Sequence, residues 1–106
     1  MPKYLLQASY TAEGVKGLLK DGGTKRQAAA KTLIESLGGK LEALYFAFGE
    51  HDVMAIVDMP EASAAAAASL TIAASGAIHG KITVLLTPEE IDRAAKKSPT
   101  YTPPGR

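Results

Sequence analysis

The sequence predicts an α+β protein in which helices cover one face of an antiparallel, four-stranded sheet. Segments whose apolar residues alternate with period two are interleaved with segments at helical spacing, in the order β-α-β-β-α-β. The length of 106 residues suits a single domain, and 46% hydrophobic with 22% charged residues is ordinary for a globular protein. The short connection between the second and third strands favours a hairpin, and therefore antiparallel pairing.

The first half of the chain predicts one strand followed by two consecutive helices. Residues 3–10 alternate as a strand does, and an N-cap threonine then begins a helix over residues 11–20. Glycines interrupt this helix. Thr24 and Gln27 form the pattern of a capping box, which predicts a second helix over residues 24–37.

The second half predicts three strands, an alanine-rich helix and a short C-terminal helix. Alanine favours helix, and Thr87, Pro88 and Glu90 form a capping box with proline at the first helical position. The predicted strands are 40–48, 53–59 and 81–86, and the predicted helices are 61–75 and 88–97. This order is that of the ferredoxin-like split βαβ fold, in which both main helices lie on one face of the sheet. We therefore predict one domain over residues 1–97 and a proline-rich tail over residues 98–106.

Charge and cysteine content restrict the possible partners. The net charge is +1, from 12 basic and 11 acidic residues, so no strong field attracts nucleic acid or an anionic membrane. The absence of cysteine excludes disulfides, thiolate nucleophiles and zinc ribbons. No signal-peptide pattern is visible, and residues 62–78 are too weakly hydrophobic to span a membrane. We expect a cytoplasmic protein without nucleic-acid or membrane partners.

Apolar residues occupy both faces of the predicted strands, although helices are available for only one face. A sheet covered on one side normally alternates apolar and polar residues. The face expected to be bare carries Leu44, Phe46, Phe48, Met54 and Ile56. Exposing so much apolar surface is costly, so we predict a homo-oligomer, a dimer or a higher ring, in which a second copy covers this face. The alternative is that the C-terminal helix folds over part of it.

Several segments together carry a family resemblance. They are residues 3–11, 22–26, 46–53, 74–77 and 85–90. On these segments the chain resembles the GYD domain family over residues 1–95. In close relatives the family signature reads Gly-x-Tyr-Asp; here Gly49 and Asp52 match, and His51 stands where tyrosine is usual. The resemblance implies a small bacterial or archaeal protein of the ferredoxin-like α+β kind, and it implies no particular activity.

His51, Asp52 and His79 are the candidate catalytic residues. His51 precedes Asp52, and an imidazole near a carboxylate can transfer protons close to neutral pH, although turn formation also explains this segment. His79 lies near Lys81 at the start of the fourth strand, where an ordinary exposed strand entry is the alternative. No histidine or carboxylate cluster has the spacing of a metal site, so neither a metal site nor a cofactor is predicted.

Six polar residues are candidate ligand contacts. They are Gln7, Ser9, Tyr45, Lys25, Arg26 and Lys81. Lys25 and Arg26 follow two glycines at a helix start, where cations and free backbone N–H groups suit an anion; solvated side chains are the alternative. Gln7 and Ser9 share one strand face and are predicted pocket groups. For Tyr45, packing in the core is the alternative to a role in a pocket.

These features predict a homo-oligomeric module that binds a small ligand in a pocket between sheet and helices or between subunits. The first alternative is a cofactor-independent enzyme in which His51 or His79 acts as general acid or base on a carbonyl or phenolic substrate. The second is a haem- or metal-binding α+β barrel, and the third is a scaffold without a ligand.

Overall fold

A computed structural model describes residues 1–106. Its helices and strands are β1 (Lys3–Tyr10), α1 (Ala12–Asp21), α2 (Gly23–Ser36), β2 (Lys40–Phe46), β3 (Val53–Asp58), α3 (Ala62–Ala74), β4 (Ile78–Leu85) and α4 (Pro88–Ala95). The strands form one sheet in the order β2-β3-β1-β4, and every neighbouring pair is antiparallel. Both α2 and α3 lie on the same face of this sheet. The predicted α+β class with the ferredoxin-like order is confirmed.

A bulge in β2 changes the face that several residues occupy. The pairing with β3 shifts register between Leu41 and Ala43, so that one extra residue is inserted into β2. As a result Leu41, Leu44 and Phe46 all line the helix-covered side of the sheet. The prediction that Leu44 and Phe46 lie on the bare face is therefore wrong, because it assumed an uninterrupted period of two.

Three of the boundaries that differ from the predictions have a visible cause. The strand β2 ends at Phe46 because the Ala47 amide donates to the carbonyl of Asp52 at 2.8 Å, which closes the turn. The strand β4 begins at Ile78, because residues 78 and 79 still pair with the end of β1. The helix α2 begins at Gly23, and its N-cap Gly22 makes no side-chain cap bond, so the predicted capping box at Thr24 is absent.

The tightest packing lies at one end of the layer between sheet and helices. Ile34, Val57 and Met59 are at most 2% exposed there. The alanine-rich helix α3 adds Ala64, Ala65 and Ala68, which are also buried. Small side chains let α3 approach the sheet closely, which is the arrangement expected from its composition.

The helix α4 and the tail project from this body. No residue of α4 is buried, and α4 makes no extended contact with another helix or strand. The radius of gyration is 16.9 Å, whereas a compact chain of this length has about 13 Å. The alternative in which the C-terminal helix covers the bare face of the sheet is therefore wrong. None of the helices has the length and apolar character needed to cross a membrane.

Candidate functional site

A cavity of about 150 Å³ lies between the sheet, α2 and α3. Fifteen of its 19 lining residues are hydrophobic. Among them are Leu6, Leu33, Leu44, Ala55 and Ile72, which come from three strands of the sheet (β1, β2 and β3) and from the helices α2 and α3. A cavity of about this size, lined by aliphatic and aromatic side chains, holds one benzene molecule in another protein. The space is therefore suited to a single ring or a short apolar chain.

One stripe of residues on α2 runs along this cavity, from an open end at Gly23 to a closed end at Ile34. Gly23, Arg26 and Ala30 lie three and four residues apart, so they share a helix face, which continues to Ile34. A Cβ built on Gly23 would lie 3.2 Å from the ring of Phe46. Arg26 is half-buried, whereas Ile34 is 2% exposed. We call the end at Gly23, Arg26 and Phe46 the mouth of the cavity.

Three polar side chains face this cavity without a partner in the chain. The cavity is lined by Arg26, Tyr10 and Ser69, and none of their side chains takes part in an ion pair or hydrogen bond. Arg26 is the one charged residue in the lining. Gln7 also borders the cavity, but its backbone carbonyl is what faces Gly80, since strand alternation turns its side chain away. Of the six predicted ligand contacts, Arg26 and Gln7 therefore line the cavity.

The other predicted ligand contacts lie elsewhere. Because Leu6 and Ala8 line the cavity, their neighbours Gln7 and Ser9 project to the opposite side of the sheet. We call this side the open face. Its members by strand pairing are Lys3, Leu5, Gln7, Ser9, Lys40, Ala43, Tyr45, Met54, Ile56, Asp58, His79, Lys81, Thr83 and Leu85. Tyr45 is 73% exposed, so the alternative in which it packs in the core is wrong.

Charged residues at one end of the open face are paired with each other. The Lys3 Nζ donates to Asp58 Oδ1 at 2.9 Å and to Glu42 Oε1 at 2.8 Å. The hydrogen bond to Asp58, followed by the one to Glu42, raises the pKa of the Lys3 ammonium above its usual value. In the middle of β4, opposite Gln7, Lys81 has no ion-pair partner. The remaining predicted cation, Lys25, is exposed and does not line the cavity. Its Nζ lies 3.7 Å from Asp21 Oδ1.

The two candidate histidines are at the same end of the sheet but do not form a catalytic pair. His79 is exposed and pairs across the sheet with Ser9. Ser9 Oγ in turn donates to the carbonyl of Glu50 at 3.2 Å. His51 is half-buried in the turn after β2, and its ring makes no hydrogen bond. Neither histidine lines the cavity. No group of three potential metal-ligating side chains comes together in the structure.

Asp52 holds this turn against β1. Its Oδ2 accepts a hydrogen bond from the backbone amide of Tyr10 at 2.9 Å, and its own amide donates to the carbonyl of Ala8 at 2.8 Å. The carboxylate therefore satisfies a backbone donor at the end of a central strand. It does not contact the neighbouring His51 by any hydrogen bond. The geometry supports turn formation as the role of Asp52.

We expect Asp52→Ala to destabilise the fold by about 1–3 kcal/mol, because it leaves a partly buried amide without an acceptor. Asp52→Asn keeps an oxygen acceptor and is expected to lose less than half as much. Urea denaturation followed by circular dichroism measures both. Equal stability of the alanine variant and the wild type would contradict this role.

The family comparison agrees with this architecture. A family model described as the GYD domain matches residues 4–95. The chain belongs to the GYD domain family. The match runs from the first strand through α4, so it includes every element around the cavity and the turn with Gly49 and Asp52. Comparison with curated proteins gives no match for this GYD domain.

Most residues of the cavity were missed by reasoning from sequence. Ala30, Leu33, Ser69 and Ile72 lie on helix faces whose apolar or small residues carry no sequence signal of a function. The spacing of apolar residues on a helix is the same whether that helix face packs tightly against the sheet or borders a cavity. The useful signal was Arg26, a cation placed on the apolar stripe of α2 in this GYD domain.

Proposed function

We propose that this GYD domain is a homo-oligomeric module that binds a small, partly apolar ligand in the cavity between sheet and helices. The observation that carries the proposal is the cavity itself, which combines an apolar lining with a few polar groups. Binding sites for small molecules usually have this composition, because apolar walls supply affinity and isolated polar groups fix orientation.

The contrast within the helix–sheet layer supports a ligand rather than loose packing. Val57 and Met59 are at most 1% exposed at the closed end, so the chain is able to pack this layer tightly. Empty apolar space is costly because its lining loses van der Waals contacts. A small apolar molecule in the cavity would restore those contacts at the open end.

The open face supports assembly. Tyr45 and Met54 are cross-strand neighbours there, and they are 73% and 36% exposed. Leu5 and Ile56 extend this apolar surface and are half-buried. A second copy packed on this face would remove these side chains from water, worth about 25 cal/mol per Å² of apolar surface.

The projecting helix α4 also supports assembly. It has eight residues, and isolated helices shorter than about 12–15 residues are marginal in water. Its start nevertheless carries a complete capping box, because Thr87 Oγ1 accepts from the Glu90 amide and Glu90 Oε1 accepts from the Thr87 amide. These bonds lower the pKa of the Glu90 carboxyl. Ile91 remains 50% exposed, and contact with a neighbouring copy would cover it.

The position of the histidines favours a binding module over the enzyme. A general acid or base must reach the substrate within hydrogen-bond distance. His51 and His79 both lie outside the cavity lining, and His79 is on the open face. The same positions disfavour a haem in this cavity, because neither histidine is placed there as an axial ligand.

Native mass spectrometry of the protein, purified without added ligands, tests assembly and retained ligand together. We expect a multimer, with an added small-molecule mass if the natural ligand is retained. A toluene titration followed by amide NMR shifts then tests the cavity directly. Shifts are expected for residues of the cavity lining, such as Leu33 and Ala55.

Ala30→Leu is expected to abolish toluene binding, because the larger side chain fills the cavity. Ala28→Leu is the matched control, since Ala28 is exposed on the same helix outside the cavity. His51→Ala is expected to leave binding unchanged. Toluene shifts that are absent, or that survive Ala30→Leu, would contradict a ligand site here; loss of binding in His51→Ala would favour the enzyme.

A further inference from the structure

We propose that the ligand of this cavity is a small monocarboxylate, whose carboxylate pairs with Arg26 at the mouth and whose apolar body points toward Leu33 and Ala55. This inference rests on the proposed function, because it assigns the chemical class of the molecule that fills the same cavity. Four features of the mouth and the cavity carry it.

The first feature is the position of Arg26 on α2. It follows Gly23 by three residues and precedes Ala30 by four, so its side chain leaves the helix on the stripe that borders the cavity. Gly23 marks the outer end of that stripe, beside the ring of Phe46. Ile34, at the inner end, is 2% exposed. The guanidinium therefore belongs to the open end, and the apolar walls extend inward from it.

The second feature is the charge balance of the lining. Arg26 is half-buried and lines the cavity, and no carboxylate lines it. The three ion pairs of the chain involve Lys3 and Lys25, not Arg26. A partly desolvated guanidinium without a counter-ion gains from an anion, and its planar fork matches the two oxygens of a carboxylate.

The third feature is the backbone around Arg26. Gly22, the N-cap of α2, provides no side-chain cap bond, and the first turn of α2 contains no acidic residue. The positive end of the α2 dipole adds to the potential of Arg26, and the carboxylate that precedes this helix, Asp21, lies 3.7 Å from the Lys25 ammonium instead. Tyr10 and Ser69 contribute unpaired hydroxyl groups to the same lining.

The fourth feature is size, which restricts the ligand class. A volume of about 150 Å³ accommodates roughly one aromatic ring, by comparison with the benzene-binding cavity of another protein. One arginine neutralises one negative charge. The lining therefore matches a monocarboxylate with a single ring or a short alkyl chain better than it matches a phosphate ester, whose second charge would have no partner.

Benzoate, benzamide and toluene test this assignment, because they share the ring and differ at one substituent. We expect wild-type protein to bind benzoate at least about tenfold more tightly than benzamide, as a charge-assisted hydrogen bond is worth more than a neutral one. In Arg26→Gln this preference is expected to disappear, while toluene affinity stays within about twofold because the apolar contacts remain. Arg26→Lys is expected to retain part of the preference.

Lys25→Gln is the matched control, since it removes the same charge from the adjacent residue outside the cavity. It is expected to keep the benzoate preference. Equal binding of benzoate and benzamide by the wild type, or an unchanged preference in Arg26→Gln, would overturn the carboxylate assignment. Failure of toluene itself to bind would instead contradict the proposed cavity site, so the two failures are distinguishable.

Discussion

Tyr45→Arg is expected to dissociate the proposed oligomer into monomers. Tyr45 is 73% exposed on the open face, so the substitution leaves the fold of one copy intact. In an assembly that buries this face, the new guanidinium loses its water without gaining a partner. That penalty is about 3 kcal/mol or more, which raises the dissociation constant at least about a hundredfold. In a symmetric interface each copy contributes the same substitution, and the effect occurs twice.

Leu70→Arg is the matched control for this experiment. Leu70 is 71% exposed on α3, on the helical side of the molecule, so both substitutions place the same charge at a similar exposure. Sedimentation equilibrium of the wild type and both variants measures the subunit number. Dissociation by Leu70→Arg but not by Tyr45→Arg would mean that the interface lies on the helical layer and not on the open face. A monomeric wild type would remove assembly from the proposed function.

The element order of the fold could be predicted because each element has a local signal. The hydrophobic periods identify the strands, and Thr11 and Thr87 form the caps that their positions predict. The failed prediction at Thr24 has a physical cause. Gly22, with a φ of 81°, links α1 directly to α2, so Gly23 already belongs to the second helix and no separate capping box is needed.

The faces of the sheet were harder to predict, because they depend on register. A single extra residue in β2 places Leu41 on the same side as Leu44 and Phe46. Nothing within the strand sequence indicates this insertion. The difference matters for function, because Phe46 was predicted on the bare face and instead lies at the mouth of the cavity. The cavity depends on the distance between layers, which periodicity does not specify.

Gly14→Ala is expected to destabilise the protein by about 1–3 kcal/mol, the usual cost of an added group in a packed site. Gly14 is buried in α1, and a Cβ built there would overlap the carbonyl oxygen of Ala77 and lie 3.0 Å from the ring of Tyr10. That carbonyl is fixed, because it accepts a hydrogen bond from the Thr11 amide at 2.9 Å. The helix α1 must therefore move away from the start of β4.

Gly17→Ala is the matched control in the same helix, and its effect is expected to have the opposite sign. A Cβ built on Gly17 meets nothing within 4 Å, so the substitution adds helix propensity without a clash. Alanine in a helix interior is more stable than glycine by about 0.5–1 kcal/mol. Urea denaturation of both variants measures the difference. Similar stabilities would mean that α1 does not pack closely against the start of β4. A large difference would show that this close contact positions α1 and, through it, the ring of Tyr10 beside the cavity.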